Sequence, residues 1–185
     1  MSTTYWSWTL AMPAETLPFT RPRLDSDLPD AIGAALEDDD PFSANSDNDF
    51  LHYWLAQVGL RFGRGPLDEF LMLDLLAVEG ATSPFEGFAI AAVPPADIPA
   101  VEAALDGWLA DPATMTAGLG ELIDWGDDVA AQVARLRATS HAGWNGGNLD
   151  DCLENVLLFL VRLRELLAEA RERGEALVHC RYVYL

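Results

Sequence analysis

Leu149, Leu153, Val156, Leu160, Leu163, Leu167 and Ala170 recur at alternating spacings of four and three. That period puts all seven on one side of an α-helix, as a stripe that only another apolar surface can cover. Asn148 stands where an N-cap belongs and Gly174 where a C′ residue belongs, so the pattern predicts one long helix over about 149–173. The chain ends supply a surface for it. Over 3–12, Trp6, Trp8, Leu10 and Met12 alternate with Tyr5, Ser7, Thr9 and Ala11, which is the period of a strand. Over 176–185, Val178, Cys180, Tyr182 and Tyr184 alternate in the same way. The short apolar run 87–93, closed by Pro94-Pro95, predicts a central strand. The expected fold is α+β, or mixed α/β. It has one small mixed sheet that includes both terminal strands, packed by several helices within a single domain spanning 1–185.

The remaining segments are punctuated by proline, glycine and acidic caps. Pro13, Pro18, Pro22 and Pro29 keep the stretch after the first strand irregular, and a short helix is expected over about 30–37. Asp47 is placed to cap a helix reaching about Phe62, with Phe50, Leu51, Trp54, Leu55 and Val58 inward. Gly63-Arg64-Gly65-Pro66 reads as a turn, and 67–78 as a buried helix stopped by Gly80, with a strand as the alternative for part of it. Asp97 and Asp111 open two further helices beside Pro99 and Pro112, and Asp127 a third. The first of these carries Ile98, Val101, Leu105, Trp108 and Leu109 on one face. Trp6, Trp8, Trp54 and Trp108 fall on apolar faces and are expected in the core, whereas Trp125 and Trp144 lie near turns.

Charge bounds what such a domain can bind. The net charge is −19, and its whole excess precedes residue 129. There, 23 acids face only Arg21, Arg23, Arg61 and Arg64, while seven acids and seven arginines balance in the remainder. A field of that sign repels nucleic acid and anionic membranes and attracts basic proteins. No stretch reaches the roughly 18 apolar residues of a membrane span. The N-terminal 14 residues lack the basic start of a signal peptide, so a cytoplasmic location with Cys152 and Cys180 as free thiols is expected.

Chemical signatures are sparse. His52, His141, His179 and two cysteines have no zinc spacing, and Asp25-Ser26-Asp27 and Asp47-Asn48-Asp49 lack the remaining ligands of a calcium loop. Walker A, dinucleotide and Gly-x-Ser-x-Gly patterns are absent. No cofactor and no metal is therefore expected, and no residue is assigned a catalytic role. The 140–148 loop before the long helix is the one place where a small ligand would be sought, with His141, Trp144 and Asn145 as its contacts.

The order of elements in the second half has a counterpart. An apolar strand, Val93-Pro94-Pro95-Ala96-Asp97-Ile98 opening a helix, a long helix and Arg173-Gly174-Glu175-Ala176-Leu177-Val178 entering a last strand resemble the YfbM-like bacterial domains of unknown function. Phe50-Leu51-His52-Tyr53-Trp54 is similar to an aromatic-rich helix near the start of those domains. The resemblance implies a compact α/β domain and no established activity.

Together these features point to a protein-binding module, such as an immunity or inhibitor protein for a basic partner. Asp38, Asp39, Asp40, Asp47 and Asp49 are the expected contacts. Two alternatives are a small-molecule-binding or enzymatic domain built on the 140–148 loop, and an oligomerising scaffold. In the latter the long apolar stripe would pack between two chains as a homodimer.

Overall fold

The computed structural model of the chain describes residues 4–16, 23–25, 42–47, 50–73, 87–116, 128–141 and 153–184. The strands are β1 (Thr4–Met12), β2 (Arg23–Asp25), β3 (Phe42–Asp47), β4 (Gly87–Val93) and β5 (Ala176–Tyr184). The helices are α1 (Phe50–Phe62), α2 (Pro66–Phe70), α3 (Ile98–Ala110), α4 (Pro112–Thr116), α5 (Val129–Arg137) and α6 (Leu153–Arg173). The five strands form one sheet in the order β2-β4-β5-β1-β3. The fold is α+β, and the two terminal strands pair along their whole length, from Thr4 opposite Tyr184 to Met12 opposite Ala176. Every described pairing is antiparallel, so the sheet is not mixed.

Register assigns the two faces. Thr9 and Ala91 lie directly opposite His179, and Val93 opposite Leu177, so these residues share a face with Ser7, Ala11 and Arg181. This is the face the helices cover. Ala91, Val93 and Leu177 join the main core with Trp54, Leu67, Phe70, Leu105, Trp108, Leu160, Leu163 and Leu167. The aromatic side of β1 therefore faces away from the helix layer. Ser7, Thr9 and Ala11 are short enough to let helices approach the sheet closely, which a row of tryptophans would prevent. The opposite face is also closed: Leu10, Met12, Ile90, Val178 and Cys180 are buried there, and Trp8 is half-buried.

The described part of the stripe on α6 is buried inside this chain, with Leu160, Leu163, Leu167 and Ala170 all at 0% exposure. Its end follows from glycine. Gly174 has φ +68, the Glu175 N–H donates to the Ala170 carbonyl at 2.9 Å and the Gly174 N–H donates to the Arg171 carbonyl at 3.2 Å. This is a Schellman motif, and it turns the chain straight into β5. Among the described residues no helix is long and apolar enough to cross a membrane.

Several boundaries differ from the expectation. Asp47 does not cap α1; it ends β3, paired opposite Thr4 on the outer edge of the sheet. The polar run Phe42-Ser43-Ala44-Asn45-Ser46-Asp47 lacks the apolar alternation of a half-buried strand because an edge strand is kept short and polar. The other edge, β2, has three residues directly after Pro22. Of the helix expected over 67–78, the described part is α2, which Met72 ends with φ 56 while Leu71, Met72 and Leu73 stay buried, and 74–78 lie outside the described residues. Asp128, not Asp127, caps α5, its carboxylate accepting the Ala131 N–H at 2.9 Å. The helix expected over 30–37, Trp125 and Cys152 lie outside the described residues.

Glu102 clamps α3 to α6. It is buried, and its carboxylate accepts from Arg164 at 2.6 Å and from Arg171, while Arg164 also reaches Asp106 at 3.0 Å. A Glu102→Gln variant keeps the shape and removes the charge shared by two guanidinium groups. It is expected to lose about 1–2 kcal/mol of stability, since both arginines retain access to water. An unchanged urea midpoint would contradict the clamp.

Candidate functional site

Two places in the described residues combine polar side chains with unusual surroundings. The first is buried under the helix layer. His179 projects from the middle strand, its Nδ1 3.0 Å from Thr9 Oγ1 and its Nε2 3.3 Å from His52 Nε2 on α1. Phe70 of α2 closes the cluster, its ring centroid 5.6 Å from that of His179. Two facing ring nitrogens can share only one proton, so one imidazole donates and the other accepts. If His52 donates, His179 Nδ1 carries its proton and donates to Thr9. If His179 donates at Nε2, the Thr9 hydroxyl donates to Nδ1. A second proton between the rings would set two N–H groups head to head. Burial first, then His52 and the nearby Arg181, hold His179 well below the usual imidazole value. His52 and His179 are 1% and 0% exposed. A general acid or base must reach its substrate, and these rings are sealed from solvent. The pair serves packing and sets a pH dependence.

The second place is open. A shallow depression of about 100 Å³ lies between α2, β4 and the start of α3. Phe70, Val93, Pro94 and Val101 form its apolar walls, and Glu69 and Asp97 bring carboxylates from separate elements. Asp97 stands at the N-cap of α3 as its sequence position suggests, but its side chain makes no capping bond. The sequence signals for this place are the turn before α2 and the Val93-Pro94-Pro95 break after β4; neither reveals that the two segments meet.

The residues singled out from sequence are distributed as follows. His141 is half-buried and holds two helices together. Its ring Nε2 lies 2.7 Å from the Leu136 carbonyl at the end of α5, and its backbone N–H donates to Glu165 of α6 at 2.9 Å. Trp144 and Asn145 lie outside the described residues, as do Asp38, Asp39, Asp40 and Asp49, and Asp47 sits on the β3 edge. None of these groups is brought together with another among the described residues. Cys180 is a free, buried thiol on β5, its pKa pushed by burial up to about 12, so it stays an unreactive protonated group at neutral pH. No cluster of three ligating side chains suited to a metal ion occurs among the described residues.

No protein-family model, curated protein or solved structure compared with this chain matches it.

Proposed function

We propose that this protein is an acidic binding module, of the inhibitor or immunity type, for a basic partner protein. The observation that carries the reading is where the positive charge goes. Arg137, Arg162, Arg164, Arg171 and Arg173 each sit in an ion pair with an acid of the same chain. Arg137, Arg164 and Arg171 bind α5 and α6 to Asp106 and Glu102 of α3, while Arg162 and Arg173 pair locally, with acids of α6 and with Glu175. The surplus of −19 is left to set the outer field. Such a field speeds encounter with a cationic surface and penalises anionic ones. The resemblance to the YfbM-like domains belongs to the same proposal, since those domains carry no established activity that competes with a binding role.

The test is capture of basic proteins, beginning with those encoded next to this chain, on the immobilised protein at rising salt. A specific complex at about 50 mM salt that weakens at least tenfold by about 500 mM is expected, because that change shortens the screening length more than threefold. A complex indifferent to salt, or no complex with any basic protein, contradicts the reading.

A further inference from the structure

We propose that the depression between α2, β4 and α3 is a socket for a single arginine or lysine side chain of the basic partner, an inference that rests on the reading above. Size decides against a metabolite. Pockets for small ligands run from roughly 300 Å³ upward, whereas this one encloses about 100 Å³ and is open on one side. That is room for one long side chain.

Chemistry selects which one. The walls of Phe70, Val93, Pro94 and Val101 suit an aliphatic stem, and Glu69 and Asp97 suit a cationic head. Asp97 and Glu69 are both exposed and make no ion pair among the described residues, and Asp97 forgoes capping its own helix. The α3 N-terminus adds a positive partial charge of about one half, which two carboxylates outweigh, so the site favours a cation over an anion. A guanidinium or ammonium group entering here would have its stem desolvated and its head paired, which is the composition of an interface anchor.

The probe is the blocked tripeptide acetyl-Ala-Arg-Ala-amide, titrated into the full-length protein while backbone amide shifts are followed by NMR. Saturable shifts centred on Ala91, Ala92 and Ile98 are expected. Binding should weaken about fivefold when norleucine replaces the arginine, and again about fivefold in the Glu69→Gln/Asp97→Asn variant. The Glu15→Gln/Glu172→Gln variant removes equal charge from exposed acids elsewhere and should bind like the parent. Shifts scattered over the surface, equal binding of the norleucine peptide, or equal loss in both variants would overturn the socket. The norleucine comparison uses the unaltered protein, so it stands even if a variant misfolds. Capture of a basic protein that persists undiminished in Glu69→Gln/Asp97→Asn overturns the socket and leaves the partner reading intact. Failure of the parent protein to capture any basic protein removes the partner reading itself.

Discussion

Stability is expected to fall as the pH drops below about 6.5, and His179 is expected to set much of the slope. The group is neutral and fully buried in the folded chain, with its pKa well below the ordinary value of 6.5. Below 6.5 the unfolded chain takes up a proton that the folded chain excludes. Proton binding then favours the unfolded state, so stability declines through the window between the unfolded and folded values and is level above it. One such group contributes about 1 kcal/mol per pH unit inside that window. Burial is the main reason the folded chain refuses this proton, and the neighbouring His52 and Arg181 oppose the added charge further. Urea midpoints measured at pH 7.5, 6.5, 5.5 and 5.0 test this. A His179→Gln variant is expected to be less stable at pH 7.5, having lost packing against Phe70 and the bonds to Thr9 and His52, yet visibly flatter below 6.5. A parent-like slope in that variant would assign the acid sensitivity to other groups.

Opposite signs are expected for one substitution made in two helices. A Cβ at Gly59 in α1 would lie 1.9 Å from Asp68 Oδ1 and 3.1 Å from its Cγ. Asp68 cannot yield cheaply. It is buried, and its Oδ2 accepts the Gly65 N–H at 2.9 Å, closing the first turn of α2. Gly59→Ala should therefore lose about 2–4 kcal/mol despite alanine's better helix propensity, since relieving the overlap means expelling a buried carboxylate. Gly107 in α3 is exposed with nothing within 4 Å of a built Cβ. Gly107→Ala should gain about 0.5–1 kcal/mol. Thermal midpoints of the two variants suffice, and shifts in the same direction would contradict the packing described for Asp68.

The elements that sequence makes legible are those whose patterns are set by their own burial. Leu160, Leu163, Leu167 and Ala170 repeat at helical spacing because α6 is covered on one side, and Gly174 marks its end because only a left-handed residue completes that turn. The edge strands β2 and β3 are illegible for the opposite reason. Their polar composition protects an exposed edge and imitates a loop. The apolar alternation of β1 reveals one buried face, that of Leu10 and Met12, but not that the helices cover the other, where Ser7 and Thr9 are buried as well. The candidate sites were hidden by distance along the chain. Thr9 and His179 are 170 residues apart and meet through the pairing of the two terminal strands, and His52 joins them from α1. Glu69 and Asp97 share a depression only because α2 and the start of α3 flank β4. His141 illustrates the reverse: a histidine in a glycine-rich loop suggests a ligand contact, and the structure gives its ring to the end of α5.

The association rate constant of a captured basic partner, measured by stopped flow across ionic strength, tests the binding account most directly. If the acidic surplus steers the encounter, the rate should fall about tenfold or more between 20 and 300 mM salt, while dissociation changes much less. An association rate that stays constant over that range would show that the charge of this chain serves no partner, and would contradict the account.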